Sequence, residues 1–293
     1  MGKLIVIDGL DGCGKNTQTK LLYDRLKSMG KNVHMVSFPD YDSRSSEAVK
    51  MYLNGEIGSE ATKLNPYLCS LFYAVDRGIQ FNTKLFELYN QPDSIILCDR
   101  YLSANIIHQG GKMESTSEAE KFFEWVYDIE VGKVGLPLED ITIVLTLPIE
   151  VSQKLMDKRY NNDSSKKDIH EANTEYLHSC YNNVQRAVRH LNNKGYNWLN
   201  INCATKDGEV RTIDDIHEQI WKIAESIIND TYCTPYEYRT KDCRHLIKED
   251  ISNSFDVFDH PSYATYCDKT GEKKEIIECL SCRRCNRYEP EEV

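Results

Sequence analysis

The sequence of 293 residues contains no apolar stretch that approaches the roughly 20 residues needed to span a membrane. Its first residues run from Lys3 straight into the apolar residues 4–7, which is too short and too strand-like for a signal peptide, so we expect none. Positive charge is also scarce, since 36 Lys and Arg residues face 46 Asp and Glu residues. The resulting net charge of −10 argues against a protein that coats nucleic acid indiscriminately. We expect a cytoplasmic protein without a membrane partner, whose main body has no nucleic acid partner.

The 11 cysteines are unevenly distributed along the chain. Five are scattered through residues 1–230, and the other six lie within residues 231–293. In a cytosolic chain, such a cluster favours metal binding over disulfides. The change in composition near residue 230 predicts a main domain over residues 1–230 and a small Cys-rich module over residues 231–293.

Short apolar runs alternate with helical patterns through the main domain. The runs predict strands at residues 4–7, 33–38, 95–98, 141–145 and 198–201. Helices are predicted from Lys15 to a stop at Gly30, from the Asn65-Pro66 start signal to the turn at 90–93, and at about 149–159, 173–193 and 213–228. Strands separated by helices pair in parallel, so the predicted fold class is α/β, with ligands at the carboxyl ends of the strands.

The segment after the first predicted strand fits the phosphate-binding pattern G-x-x-x-x-G-K, from Gly9 to Lys15. Its glycines let backbone N–H groups surround phosphate oxygens, Lys15 reaches the outer phosphates, and the helix N-terminus adds partial positive charge. We therefore predict an ATP site. The residues expected to form it are Gly9, Gly12, Cys13, Gly14, Lys15, Asn16 and Thr17.

Asn16 occupies the position at which this pattern usually has a Ser or Thr, whose hydroxyl binds Mg²⁺. An amide oxygen is also a ligand for hard cations, and Asp11 is available to take over part of the role. We predict a bound Mg²⁺ with Asn16 and Asp11 as candidate ligands, and the sequence leaves the division between them open.

Further motifs lie where predicted strands end. Asp99 and Arg100 follow the third strand directly, which places a carboxylate and a guanidinium at the active edge of the sheet. Phe38 and Tyr41 lie at the end of the second strand. In the long helix, Tyr73 and Arg77 are four residues apart, so an aromatic ring and a planar donor share one helix face.

Together with residues 8–12, these motifs resemble those of the thymidylate kinases, which belong to the nucleoside monophosphate kinase superfamily. The resemblance covers about residues 1–230. It implies a P-loop NTPase fold with a five-stranded parallel sheet flanked by helices. It also implies phosphoryl transfer from ATP to dTMP, giving dTDP and ADP, with Mg²⁺ and a mobile lid. A homodimer is implied by the resemblance alone.

The resemblance also implies roles for individual residues. Arg100 clamps the acceptor phosphate, Tyr73 or its neighbour Phe72 stacks on the base, and Arg77 hydrogen-bonds the base edge. The implied catalytic residues are Asp11, Lys15, Asp99, Arg100 and, from a basic lid segment, Arg159. The implied substrate-binding residues are Phe38, Tyr41, Phe72, Tyr73, Arg77, Arg100, Asn105, His108, Gln109 and Glu171.

Two positions depart from the pattern of the family. His108 stands where many members have a Tyr beside the sugar, and Asp40 stands where many carry a basic residue. These two departures, together with Asn16 in the phosphate-binding loop, keep two alternatives open. One is a kinase for another, modified or unmodified, pyrimidine deoxynucleotide. The other is a catalytically weak regulator that binds nucleotide.

The C-terminal module contains the spacing C-x-x-C-x-x-C from Cys279 to Cys285. A tetrahedral Zn²⁺ site is predicted, with Cys282 and Cys285 as two of its ligands. The remaining two ligands come from Cys243, His245, Cys267 and Cys279. A metal would help so small a module to fold. Free thiols and an iron–sulfur cluster are the alternatives, and a partner for the module is not readable from the sequence.

Overall fold

The computed structural model describes residues 2–58, 60–159, 173–230 and 232, and the backbone of residues 246–250 and 263–267. Its centre is a five-stranded sheet formed by β1 (Lys3–Gly9), β2 (Asn32–Ser37), β3 (Ser94–Asp99), β4 (Ile141–Thr146) and β5 (Trp198–Asn202). The strand order is β2-β3-β1-β4-β5, and all neighbours pair in parallel. This confirms the predicted α/β fold class.

The three central strands position the functional edge of the sheet. β1, β3 and β4 are buried along almost their whole length, which explains why each appears in the sequence as a continuous apolar run. β1 lies between the other two, with Ile7 opposite Asp99 on β3 and Gly9 opposite Leu145 on β4. The carboxyl ends of the three strands therefore meet at one edge, where the phosphate-binding loop, Asp99 and Arg100 lie.

Helices cover both faces of this sheet. They are α1 (Lys15–Ser28), α2 (Glu47–Leu53), α3 (Pro66–Gln80), α4 (Phe86–Tyr89), α5 (Leu102–Ala104), α6 (Thr116–Tyr127), α7 (Ile149–Arg159), α8 (Thr174–Asn193) and α9 (Ile213–Ile228). One apolar cluster includes Phe122, Phe123 and Trp198, and a second includes Leu22 and Ile220. Within the described ranges, no helix has both the length and the apolar character required to cross a bilayer.

The predicted helix signals are confirmed at several boundaries. The side chain of Asn65 accepts hydrogen bonds from the first backbone N–H groups of α3, with Pro66 at the first helical position. Gly30 follows the end of α1 with a φ of 73°. All five predicted strands are present, and α7, α8 and α9 lie where they were expected. The helices α2, α5 and α6 were not predicted from the sequence.

Three π-helical turns were not anticipated from the sequence. Residues Phe81–Leu85 join α3 to α4, Asn105–Gln109 follow α5, and Asp128–Lys133 follow α6. Such turns leave backbone carbonyls in need of partners. In the second turn, Nδ2 of Asn183 donates to the carbonyl oxygens of Ile106 and Ile107, at 2.8 and 3.2 Å. The conformation therefore depends on a side chain from a distant helix.

The described part of the C-terminal module consists of two antiparallel strands, β6 (Leu246–Asp250) and β7 (Tyr263–Cys267). Of the predicted zinc ligands, Cys267 ends β7, and its backbone alone is described. Cys243, His245, Cys279, Cys282 and Cys285 lie outside the described residues. The division of the chain at residue 230 stays a prediction.

Candidate active site

The phosphate-binding loop connects the carboxyl end of β1 to the first turn of α1. Gly9, Gly12 and Gly14 have φ values of 145°, 80° and 89°, which residues with side chains rarely adopt. A Cβ on Gly9 would lie 2.2 Å from the carbonyl oxygen of Leu145, and one on Gly12 would lie 2.7 Å from that of Ser152. Glycine at these positions therefore allows the loop to fold tightly and present its N–H groups to phosphate.

The other predicted loop residues differ in exposure. Cys13 is buried in the loop, and burial raises the pKa of its thiol. Asn16 and Thr17 are exposed in the first turn of α1, whereas Lys15 is buried, with its Nζ 3.5 Å from the carbonyl oxygen of Leu10. The lysine is thus held in place before a nucleotide binds.

Lys15 and Arg100 meet at the carboxylate of Asp11. Nζ of Lys15 donates to Oδ1 of Asp11 at 2.8 Å, and Nη2 of Arg100 donates to the same oxygen at 2.5 Å. Although burial raises the pKa of Asp11, the charges of Arg100 and Lys15 outweigh it and hold that pKa well below its usual range. The ionised carboxylate therefore holds both cations together beside the phosphate-binding loop.

Arg100 is aimed at this point by an unusual backbone conformation. It directly follows β3 with a φ of 68°, in a region that favours glycine. Its N–H donates to the carbonyl oxygen of Ile7 at 3.1 Å, which extends the pairing of β1 with β3 by one residue. Backbone strain of this kind is found at sites where function requires a particular side-chain direction.

Asp99 offers a carboxylate oxygen that suits a metal ion. Nδ2 of Asn16 donates to Oδ2 of Asp99 at 3.3 Å. Oδ1 of Asp99 is buried and has no hydrogen-bond partner among the described residues. Carboxylate and amide oxygens are hard ligands of the type that Mg²⁺ prefers, so the residues present fit this ion. Asp11, the other predicted ligand, is engaged by Lys15 and Arg100.

Asp8 belongs to the site although it is not among the residues predicted from the sequence. It is fully buried, and burial raises the pKa of its carboxyl group. Its Oδ1 accepts from the N–H of Gly9 at 2.8 Å, and its Oδ2 accepts from the hydroxyl of Ser103. These two hydrogen bonds of Asp8 link the phosphate-binding loop to α5. In the sequence, the position of Asp8 directly before Gly9 could have indicated that it belongs to the site.

The predicted stacking residues lie beside an aromatic residue of α2. The rings of Tyr73 and Tyr52 have centroids 6.3 Å apart at an angle of 87°. Phe72 also contacts Tyr52, at 6.4 Å and 53°. Tyr73 and Phe72 are both half-buried, and Tyr73 lies one helical turn before Arg77. This favours Tyr73 over Phe72 as the ring that stacks on a base read by Arg77.

Arg77 and Asn105 are joined by Glu130, a residue without a predicted role. Nε and Nη2 of Arg77 donate to the two carboxylate oxygens of Glu130, at 2.6 and 2.7 Å. Nδ2 of Asn105 donates to Oε1 of Glu130 at 2.8 Å. All three residues are 1% exposed. Glu130 is 53 residues from Arg77 in sequence, so no local pattern could have shown this contact.

The turn after α5 places two predicted residues at different parts of the site. Nε2 of His108 lies 3.4 Å from Nη1 of Arg100, close to the cations around Asp11. Nε2 of Gln109 donates to the hydroxyl of Tyr52 at 3.4 Å, which places Gln109 beside the aromatic residues. The turn therefore connects the predicted phosphate and base regions.

The end of β2 forms the remaining border. Phe38 is buried against the ring of Tyr101, with centroids 5.9 Å apart, whereas Tyr41 is 51% exposed. Asp40, which departs from the family pattern, forms an ion pair of 2.7 Å with Lys84. The lysine thus neutralises the acidic group at this border.

Two of the residues predicted for the active site have no described side chain. Arg159 ends α7 and is described by its backbone alone, and Glu171 lies outside the described residues. Their roles stay predictions. Within the ranges that the structure describes, no group of three or more His, Cys, Asp or Glu side chains forms a metal cluster.

The chain matches known proteins over the region that contains this site. The family model for thymidylate kinase matches residues 7–211. A thymidylate kinase from Mycobacterium tuberculosis is 29% identical over 174 residues, which cover 59% of this chain and 79% of the relative. One from Schizosaccharomyces pombe is 25% identical over 228 residues, which cover 77% of this chain and 93% of the relative.

A solved structure is similar in fold. The thymidylate kinase from Candida albicans aligns with a TM-score of 0.56 at 19% identity, covering 77% of this chain and 92% of that one. The matched family model spans more than half of the 293 residues and includes the phosphate-binding loop, Arg77 and Arg100. The chain therefore belongs to the thymidylate kinase family.

Proposed function

We propose that this protein transfers the γ-phosphoryl group of ATP to dTMP, giving dTDP and ADP. The observation that carries the proposal is the shared contact of Lys15 and Arg100 with Asp11. It brings the cation of the phosphate-binding loop next to the cation that follows β3. Phosphoryl transfer depends chiefly on positioning and on positive charge around the transferred group, and this pair provides both.

On the donor side, the N–H groups of the loop bind the phosphates of ATP and Lys15 contacts the outer ones. Asp99 and Asn16 would hold the Mg²⁺ that thymidylate kinases use, and Asp11, which is paired with Lys15 and Arg100, stays a further predicted ligand. When bound, the ion neutralises phosphate charge. Arg159, at the end of α7, contributes a further cation to the transferred group.

On the acceptor side, Arg100 binds the phosphate of dTMP and Tyr73 stacks on its base. Arg77 and Asn105 hydrogen-bond the edge of that base. The remaining contacts come from Phe38, Tyr41, Phe72, His108, Gln109 and Glu171. His108 lies beside Arg100, which supports a contact between His108 and the sugar of dTMP.

ADP release from ATP and Mg²⁺ tests the proposal. The acceptors to compare are dTMP, dUMP, hydroxymethyl-dUMP, dCMP, UMP and dGMP. We expect dTMP to give the highest kcat/KM. Selectivity for another pyrimidine would replace dTMP as the substrate and retain the chemistry. ATP binding without turnover on any acceptor would reject the enzyme in favour of a regulator.

We also propose that two copies of the chain associate through α3. Leu68, Leu71, Val75 and Ile79 are 47%, 39%, 55% and 44% exposed, and their spacing places them on one helix face. Continuous exposed apolar surface of this kind is typical of an interface. A second copy is the occupant that the family resemblance favours.

Two further proposals concern the cysteines. The described cysteine side chains, Cys13, Cys69, Cys98, Cys180 and Cys203, are all free thiols, which supports a reducing, cytoplasmic location. We also propose that the C-terminal module binds one Zn²⁺ through Cys282 and Cys285, with Cys243 and Cys267 as further ligands. Cysteine spacing alone supports this second proposal.

A further inference from the structure

We propose that Glu130 is a positioning residue that sets which atoms of the base pocket donate and which accept hydrogen bonds. It leaves Arg77 as a donor and Asn105 as an acceptor toward the base. This pattern matches the imide edge of thymine or uracil and opposes the edge of cytosine. The inference rests on the proposed function, in which Arg77 and Asn105 read the base edge.

The position of Glu130 makes it a fixed acceptor. It lies in the π-helical turn after α6 and is 1% exposed. Its two carboxylate oxygens receive three hydrogen bonds of 2.6 to 2.8 Å from Arg77 and Asn105. A buried carboxylate that accepts short, charge-assisted bonds holds its partners in one arrangement.

The contacts of Asn105 determine the orientation of its amide. Nδ2 faces the carbonyl oxygen of Ser70 at 3.1 Å and Oε1 of Glu130 at 2.8 Å. Both partners are acceptors, so the NH₂ group must occupy this position. Oδ1 points away from these contacts and has no recorded partner among the described residues. Asn105 is therefore left with an acceptor to offer.

Arg77 is oriented by the same carboxylate. Glu130 engages Nε and Nη2 side by side, and no partner of Nη1 is recorded in the part of the chain that the structure describes. Burial lowers the pKa of Arg77, but the charge of Glu130 outweighs it, so the guanidinium stays protonated. Nη1 is therefore available only as a donor.

The two free atoms discriminate between pyrimidines. Thymine and uracil have an acceptor at O4 beside a donor at N3, so O4 pairs with Arg77 and N3–H pairs with Asn105. Cytosine has a donor at N4 beside an acceptor at N3. The donor at N4 would then face the donor of Arg77, and the acceptor at N3 would face the acceptor of Asn105. A site built to pair with polar groups rejects a mismatched analogue strongly, because its own buried groups are left unpaired. Glu130 acts through these two residues without needing to touch the base.

Glu130→Gln tests the proposal, because it keeps the shape of the side chain and replaces one acceptor oxygen with a donor. We expect KM for dTMP to rise at least about 10-fold and the preference for dTMP over dCMP to fall by a similar factor, as both depend on buried hydrogen bonds. KM for ATP should stay within about twofold, because among the described residues the side chain of Glu130 hydrogen-bonds to Arg77 and Asn105, which lie on the proposed acceptor side. The matched control is Glu139→Gln, another buried glutamate, which should leave both acceptor parameters unchanged.

A variant that folds and keeps the wild-type KM for dTMP and the wild-type preference would overturn the proposal. So would equal rises in KM for dTMP and ATP, since these would indicate a general structural role. If Glu130→Gln does not fold, Glu130→Asp retains the charge with a shorter reach, and its preference for dTMP should fall. The wild-type enzyme is assayed first, and absence of dTMP kinase activity there would reject the proposed function rather than the role of Glu130.

Discussion

Nη2 of Arg100 donates a hydrogen bond to Oδ1 of Asp11, a residue 89 positions earlier in the chain. Asp11 belongs to the phosphate-binding loop after β1, and Arg100 to the turn after β3. The contact forms because the two strands are neighbours, with Ile7 opposite Asp99. It joins the predicted donor and acceptor sides of the site before either nucleotide is bound.

Replacement of Lys15 tests the phosphate-binding loop. In Lys15→Ala we expect kcat to fall by at least about 100-fold, because a charge that stabilises the transferred phosphoryl group is lost. ADP release measures the rate, and equilibrium binding of dTMP should change little. Lys20→Ala, an exposed lysine on the same helix, is the control. A near-normal rate in Lys15→Ala would show that the loop is assigned wrongly.

Replacement of Arg77 is expected to affect stability as well as binding. Arg77→Ala leaves the buried Glu130 without its cation, which should cost about 3–5 kcal/mol of unfolding free energy. Adding Glu130→Gln should restore part of this loss, since the remaining buried group is then neutral. KM for dTMP should stay raised in the double variant. Denaturant unfolding and acceptor kinetics measure the two effects, and an Arg77→Ala variant as stable as wild type would contradict the importance of the pair.

We expect Glu139 to make the stability of the protein depend on pH. Burial raises the pKa of this carboxyl group to about 7, while Tyr127 donates to its Oε1. The folded state holds the proton of Glu139 more tightly than the unfolded state. The stability that this protonated group contributes is therefore complete below about pH 4.5 and is lost as the pH rises through 7. Glu139→Gln should therefore be more stable than wild type at pH 8, by on the order of 3 kcal/mol, and the gain should shrink at pH 5. Thermal unfolding at both pH values measures this, and a gain independent of pH would contradict it.

The proposed dimer is tested by a charge on its apolar face. Val75 is 55% exposed in the middle of the stripe on α3, so an aspartate there would be desolvated on association. In size-exclusion chromatography, wild type should elute at twice the 33.9 kDa mass of one chain, and Val75→Asp should elute as a monomer. Val210→Asp, at an exposed valine outside α3, should remain dimeric. A monomeric wild type would reject the proposal.

Metal analysis of the full-length protein tests the C-terminal module. We expect about one zinc ion per chain, as a four-ligand structural site holds a single ion. Cys282→Ser combined with Cys285→Ser should lose it, whereas Cys180→Ser, a buried thiol of the main domain, should retain it. Purified protein that contains no zinc, or double-variant protein that keeps it, would exclude these ligands.

Local sequence patterns were sufficient for much of the fold. Apolar runs identified the strands because buried parallel strands need apolar side chains on both faces. Asn65-Pro66 located the start of α3, since cap chemistry acts over a few neighbouring residues. The π-helical turn at Asn105–Gln109 was not predictable in this way, because Asn183 of α8 supplies hydrogen bonds to its carbonyls.

The sequence by itself determined the phosphate-binding loop, the five strands of the main sheet with most of the helices between them, and the residue types at the ends of β1, β2 and β3. These depend on contacts between near neighbours and on periodicity along the chain. Tertiary structure alone decided that Arg100 meets Asp11, that Asp99 keeps a free oxygen beside Asn16, and that Glu130 orients Arg77 and Asn105. Such contacts join residues dozens of positions apart, so they arise only when the sheet and its helices pack together.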